Sequence, residues 1–216
     1  MTKSILDLVG NTPLIEIKHP KSDKVRLYAK CEWANPTGSV KDRAAKKMML
    51  EAIKNGDLEN KILIDATSGN TGIAYALFGA AIGIEVELAL PQNASTERKC
   101  LLQNAGAKIH FTSAMEATDG AQRFVEQQLQ TYPDRYFCPD QYNNDANWQA
   151  HFESTGPEIY DQTKQSVTHF VAGLGTTGSF TGTSRFLQKK GVTCIEVQPD
   201  NPMHGLEGWK HMQTAI

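Results

Sequence analysis

Between residues 61 and 131, short apolar runs alternate with longer helical stretches, and this alternation decides what the chain can fold into. The order is strand 61–66, helix 71–83, strand 84–90, helix 95–105, strand 107–112 and helix 116–131. Strands separated by a helix cannot close as tight hairpins. They pair in parallel through crossovers, with helices laid over the sheet. The unit recurs later as strand 168–172, a glycine loop from Gly173, helix 179–190 and strand 192–198. The expected fold class is therefore α/β. Ahead of these units, Leu14 to Ile17 reads as a strand after the turn Gly10-Asn11-Thr12-Pro13. Val25, Leu27, Ala29 and Cys31 alternate with Arg26, Lys30 and Glu32 as a half-buried strand would. Residues 134–147, rich in Pro, Asp and Asn, form the expected crossing between two domains, followed by helical segments at 148–152 and 156–163. In a doubly wound fold strand 192–198 needs cover on both faces. Residues 199–216 show no periodicity, so the C-terminal part is expected to be missing.

Three turns carry chemistry. Ser68-Gly69-Asn70-Thr71-Gly72 joins an apolar strand to a small-residue helix, placing amides and hydroxyls at a helix N-terminus, where an anion is favoured. Residues 173–179 repeat that layout. Gly173-Leu174-Gly175-Thr176-Thr177-Gly178 fits a dinucleotide fingerprint, with Glu196 placed 18 residues beyond Gly178. The same loop also reads as a cradle for a single phosphate, or as a tight turn. In the third, Ser39-x-x-Asp42 matches a capping box after the turn Asn35-Pro36-Thr37-Gly38, opening a helix to about Asn55. It puts Lys41 in the first helical turn, where the dipole disfavours an ammonium ion and lowers the amine's pKa, as Schiff-base chemistry requires. A solvated lysine is the plainer alternative. Converging turns with a lysine among them suggest an anionic cofactor attached to an amine.

Net charge is −2 with acids and bases interspersed, which gives no electrostatic case for nucleic acid. No apolar run approaches the roughly 18 residues of a membrane span, and the first residues do not form a signal peptide. The four cysteines are scattered, with no metal-ligand spacing, so no metal is expected, and four reduced, mostly buried thiols are. His151 and His169 read as packing or surface residues. The expected location is the cytoplasm.

Taken together, Asn35-Pro36-Thr37-Gly38-Ser39-Val40-Lys41-Asp42-Arg43, Thr67-Ser68-Gly69-Asn70-Thr71-Gly72 and Gly173 to Gly182 resemble the cysteine synthase family. These are pyridoxal-phosphate β-replacement enzymes, and the B-type O-acetylserine sulfhydrylases are the most similar. Gly10 to Leu14, Asp140 to Asn144 and Thr155 to Ile159 look like further signatures of the family, in its order. The resemblance implies a two-domain, tryptophan-synthase-β-like architecture (pyridoxal-phosphate fold type II) with parallel, helix-covered sheets. Residues 1–34 plus 148–216 would form the larger cofactor-phosphate domain, incomplete here. Residues 35–147 would form the smaller mobile domain carrying Lys41 and the 68–72 loop.

The resemblance also implies roles. Lys41 matches the lysine that binds pyridoxal 5'-phosphate covalently and later moves protons at the substrate Cα. Asn70 matches the residue that hydrogen-bonds the cofactor's ring hydroxyl. Gly175, Thr176, Thr177, Gly178 and Ser179 match the phosphate loop, and Thr177, often glycine in A-type enzymes, leans towards the B type. Thr67, Ser68, Thr71 and Gln141 match the group that binds the substrate carboxylate, whose capture should draw the smaller domain shut. The implied reaction forms L-cysteine from O-acetylserine and sulfide or thiosulfate, in a protein that is homodimeric at full family length. Family members continue past this point, and the continuation carries the serine that meets the pyridine nitrogen. A non-catalytic fragment of that enzyme is therefore the second expectation. A dinucleotide-binding oxidoreductase is the third, and Lys41 argues against it, because nicotinamide binding has no use for an amine there.

Overall fold

A computed structural model of the chain describes residues 4–18, 21, 22, 24–67 and 69–200. The chain divides into two compact units, residues 1–7 with 45–146 and residues 8–44 with 147–216. The division passes between Ala44 and Ala45, so Lys41 belongs to the same unit as residues 173–179, whereas the sequence grouped it with 35–147. The helix carrying Lys41 is continuous across that point.

The 8–44/147–216 unit begins with an antiparallel pair, β1 (Leu14–Ile17) and β2 (Leu27–Lys30), in the register Leu14 to Lys30. The expected burial of alternate residues is realised only at Cys31: Ala29 is half-buried, Leu27 is 41% and Val25 52% exposed, and Ile15 and Ile17 on β1 are similarly open. A two-stranded ribbon with no layer against this face cannot bury it. α1 (Lys41–Asn55) follows, ending where the sequence placed it. Its N-terminus is not a capping box. Ser39 Oγ accepts from the Lys41 amide at 3.1 Å, while the Asp42 carboxylate accepts from the Thr37 amide at 2.7 Å and from the Thr37 hydroxyl. Asp42 thus folds back onto the preceding turn and does not reach the Ser39 amide.

The 1–7/45–146 unit holds one four-stranded parallel sheet, formed by β3 (Ile62–Ala66), β4 (Val86–Pro91), β5 (Lys108–Thr112) and β6 (Tyr136–Phe137) in the order β5-β4-β3-β6. The connecting helices are α2 (Asn70–Ile82), α3 (Thr96–Asn104) and α4 (Ala117–Thr131). β4 is buried from Val86 to Leu90, as a central parallel strand with both faces covered must be. Its Glu87 is tolerated there because Lys108 Nζ (2.9 Å), His110 Nε2 (2.6 Å) and Tyr136 Oη (3.0 Å) surround it. α2 lies close to β4 because Gly79 has no side chain; a Cβ there would meet Ile84 O at 2.8 Å. On α4, Ala121 and Val125 pack on Ile64, Ala89 and Tyr136. The short β6 falls inside the stretch expected to be pure loop. Two residues carry too little pattern to be read as a strand.

The remaining elements belong to the 8–44/147–216 unit, apart from the first two residues of α5 (Asp145–Ala150). α5 runs through a π-helical turn at His151–Thr155 into α6 (Gly156–Gln162). β7 (His169–Gly173) pairs in parallel with β8 (Thr193–Val197), and α7 (Gly178–Gln188) crosses between them. Ile159, Leu187 and Val192 form the core here, with Phe170, Phe186 and Cys194 packed around them. Val171, Ile195 and Val197 remain open on the two-stranded sheet at 57%, 44% and 39% exposure. All four cysteines are free, but only Cys31 is buried, fewer than expected.

Candidate functional site

In the 8–44/147–216 unit the 174–179 loop turns into α7 through Thr177, which adopts a left-handed conformation at φ +66°. A β-branched residue there is strained, and such strain persists only where the surroundings impose it. One consequence is chemical. In this conformation Thr177 makes no side-chain cap bond, although threonine is a common helix cap. The first bond within α7 is Thr181 N to Thr177 O at 2.8 Å, so the amides of Gly178, Ser179 and Phe180 precede the intrahelical ladder. α3 shows the contrast: its Ser95 Oγ accepts from the Arg98 amide at 3.3 Å. The uncapped start of α7, with the hydroxyls of Thr176, Thr177 and Ser179 beside it, has the donor set that a phosphate needs.

The loop is held from behind. Asn147 Nδ2 donates to Thr176 Oγ1 at 3.0 Å, and a Cβ on Gly178 would collide with the Asn147 amide group. Gly182, one turn on, allows α7 to touch the π-helical turn. A Cβ there would overlap Trp148 O and lie 2.8 Å from His151 Cβ. His151 is 2% exposed and bonds Thr155 Oγ1 through Nδ1 at 2.9 Å. Burial, reinforced by the Arg43 and Lys41 charges, pushes its pKa down to about 3, so it is a neutral packing residue, as expected. His169 is exposed, also as expected.

Lys41 is the first residue of α1 in the same unit. Its pKa is lowered, as expected, and the resolved cause is burial of the ammonium. No hydrogen bond or ion pair opposes that shift among the described residues. A fully paired cluster fixes the backbone two residues on. Arg43 donates to both oxygens of Glu32 (2.7 and 2.8 Å) and both oxygens of Glu158 (2.6 and 2.7 Å), with Ser154 Oγ and Thr12 Oγ1 completing its fork. Lys30 Nζ lies 2.6 Å from Glu158 Oε2, and the Asn11 amide donates to Glu158 Oε1 at 2.9 Å. Burial opposes these charges. The hydrogen bonds from Arg43 and Lys30 overcome it and bring Glu158 down to about 2, and Arg43 is held above its ordinary range. Residues 10–12 and 155–159 thus anchor the helix that presents Lys41. Their motifs are visible in the sequence, but Arg43, Glu32 and Glu158 had no assigned role there: Arg43 and Glu158 are 115 residues apart, and Arg43 and Glu32, 11 apart, sit on different elements.

In the 1–7/45–146 unit the 67–72 loop leads into α2. Gly69 caps it without a side chain, and the first bond is Ile73 N to Gly69 O at 3.3 Å, leaving the amides of Asn70, Thr71 and Gly72 ahead of the ladder. Thr71 Oγ1 donates to Gln141 Oε1 at 3.0 Å, joining two of the four residues expected to bind a carboxylate. Thr67 Oγ1 accepts from the Gly69 amide at 3.3 Å, and Asn70 is exposed at the helix start. Ser68 lies outside the described residues, as do residues 201–216. Among the described residues no three His, Cys, Asp or Glu side chains group as metal ligands.

The residues of the 8–44/147–216 unit fit pyridoxal phosphate: an uncapped helix start with hydroxyls suits its phosphate, and an amine whose pKa burial lowers suits its aldehyde. Comparison with known proteins agrees. A family described as pyridoxal-phosphate dependent enzymes matches residues 5–215. A cysteine synthase of Aquifex aeolicus is 52% identical over 99% of this chain and 68% of its own length. Cysteine synthase B of Salmonella typhimurium is 40% identical over 93% of this chain and 68% of its own length. Among solved structures, cysteine synthase from Entamoeba histolytica superposes with a TM-score of 0.93 at 33% identity, covering 98% of this chain and 67% of that one. The α/β expectation and the type II fold hold, and the dinucleotide reading of residues 173–178 has no support in these matches. The chain belongs to the pyridoxal-phosphate dependent enzyme family and, within it, to the cysteine synthases.

Proposed function

We propose that the protein carries out β-replacement on O-acetylserine, forming L-cysteine with sulfide as the sulfur source, or S-sulfocysteine when thiosulfate is the nucleophile. The observation that carries this reading is the pairing, within one unit, of Lys41, whose pKa burial lowers, with an uncapped, hydroxyl-rich helix start at residues 176–179. When bound, pyridoxal phosphate supplies an electron sink for the charge left at the substrate Cα. Gly175, Thr176, Thr177, Gly178 and Ser179 would hold its phosphate, Lys41 would hold its aldehyde carbon, and Asn70 would hydrogen-bond its ring hydroxyl. Thr67, Ser68, Thr71 and Gln141 bind the substrate carboxylate, Thr71 and Gln141 as a pre-formed pair. Once the substrate amine has displaced it, the Lys41 amine would take the Cα proton as acetate leaves Cβ, and would return that proton to Cα after the sulfur nucleophile has added at Cβ. With sulfide as nucleophile, O-acetylserine and HS⁻ become cysteine and acetate.

Carboxylate capture closing a smaller mobile domain belongs to the same reading, as do a homodimer and a cytoplasmic location. No described helix is long and apolar enough to cross a membrane. Exposed Ile15, Ile17 and Leu27 support self-association. The test is cysteine formation from O-acetylserine and sulfide by the chain loaded with pyridoxal phosphate, against Lys41→Ala. Formation that requires Lys41 supports the reading. Equal rates with and without the lysine amine would overturn it.

A further inference from the structure

Two buried acids sit in the four-stranded sheet, and they are treated oppositely. Glu87 is fully buried but faces Lys108, His110 and Tyr136. Asp65, near the end of β3 and 8% exposed, faces no cation among the described residues. Its Oδ1 accepts from the Ala66 amide at 2.7 Å and lies 3.9 Å from Cys138 Sγ, while its Oδ2 is sealed from solvent with no partner among the described residues. The titratable groups around it are all acids or weak acids: Asp140, Cys138 and Tyr142 beyond β6, Tyr75 on α2, and Glu126 on α4 across a shared cavity of about 480 Å³. The Cys138 thiol is pushed up to about 12 and stays neutral.

The position matters because two loops leave from this point. β3 continues through Asp65 into residues 67–71, and β6 continues through Cys138 and Asp140 into Gln141. Their ends meet where Thr71 Oγ1 donates to Gln141 Oε1. Asp140 itself is held at φ +48°, so the second loop leaves β6 in a strained conformation with a carboxylate beside Asp65.

We propose that Asp65 is a positioning residue for the substrate carboxylate, joining the exits of β3 and β6 beneath the Thr71–Gln141 pair as a neutral acid and weakening carboxylate binding when it ionises. A charge on Asp65 has no counter-ion, repels Asp140 within the second loop, and sets a negative potential under the atoms that must receive a second carboxylate. Burial and the Asp140 charge push its pKa up to about 6, placing the switch inside the working range of an enzyme. Carboxylate binding then draws a proton onto Asp65, and affinity falls as pH rises through about 6. From like charges in a partly screened interior, the fall is on the order of fivefold.

This proposal rests on reading Thr71 and Gln141 as the carboxylate site, and the test separates the two. The full chain, labelled with ¹⁵N, is titrated with L-alanine, an amino acid with no leaving group, while the Gln141 side-chain amide is followed at pH 5.5 and 7.5. The wild-type chain should bind alanine about fivefold more weakly at pH 7.5, and Asp65→Asn should flatten that dependence. A dependence unchanged in Asp65→Asn overturns the proposal. Asp140→Asn, an exposed change that keeps a side chain tolerant of positive φ, should move the midpoint to lower pH. It decides the matter should Asp65→Asn fail to fold, and an unmoved midpoint counts against the proposal. Alanine binding that ignores Thr71→Val would sink the carboxylate-site reading itself, and this proposal with it.

Discussion

Replacing Arg43 tests whether the Arg43–Glu32–Glu158 cluster is what holds the Lys41 helix in place. The Arg43 side chain is 2% exposed and both its carboxylate partners are 16% exposed. In Arg43→Gln, Glu158 keeps Lys30 and the Asn11 amide, whereas Glu32 keeps only the neutral donors Thr12 and Asn35. Stranding a buried charge in this way costs about 3–5 kcal/mol. With a urea dependence of about 2 kcal/mol per molar, the unfolding midpoint should fall by about 2 M. Trp33 and Trp148 both lie in the 8–44/147–216 unit, so tryptophan fluorescence follows its unfolding. Acid adds an independent check. Glu158 titrates near 2 in the folded chain and near 4.5 unfolded, so its contribution is complete above about 4.5 and is lost as pH falls towards 2. That contribution is at most about 3 kcal/mol, since solvent reaches the pair. Arg43→Gln should remove most of this acid dependence, and Arg43→Lys should restore less than half of the midpoint, because an ammonium cannot grip two carboxylates bidentately. A midpoint shift below about 0.5 M, with the acid limb unchanged, would refute the role given to the cluster.

Thr177→Gly should stabilise the cofactor-free chain by about 1 kcal/mol by relieving the positive φ, while weakening pyridoxal phosphate binding through the lost hydroxyl. Urea unfolding and a cofactor titration check the two arms, and a destabilised variant would contradict the strain. Gly182→Ala should destabilise by about 3 kcal/mol or more because its methyl meets backbone at Trp148 and Phe152. Gly178→Ala should cost less, because Asn147 is a side chain that can turn aside; equal losses in thermal unfolding would count against this packing. Lys41→Met should stabilise the chain at pH 7, since the folded pKa lies below the unfolded 10.5 and a buried ammonium is a cost. That advantage should vanish as pH rises towards 10.5, and a variant less stable than wild type at pH 7 would show that Lys41 is not penalised by burial.

The βαβ alternation was legible because its strands are short apolar runs punctuated by glycine or proline; β4 and α2 sit within two residues of where the pattern put them. β6 was not, because two residues such as Tyr136 and Phe137 have no period. Alternation on β2 misled for a different reason: apolar spacing fixes which residues share a face, but not whether another layer covers that face, and none of the described residues seals Leu27. At the site, the residue types of the three turns were readable and the forces on them were not. Lys41 owes its lowered pKa to burial, which depends on residues distant in sequence. Ser39-x-x-Asp42 had the letters of a capping box, but Thr37 offered Asp42 a nearer pair of donors. The exposure and pairing of Asp65 and Glu87 follow only from the register of the sheet.

The central claim is that Lys41 and residues 175–179 together make a cofactor site. The most direct measurement is borohydride reduction of the chain with pyridoxal phosphate, followed by peptide mass mapping, on the wild-type chain and on Gly178→Ala. One modified residue, Lys41, is expected at near-stoichiometric yield, with a visible absorbance band that reduction erases and with capture sharply reduced in the variant. Label spread over surface lysines, or capture at Lys41 that ignores the change at Gly178, would contradict it.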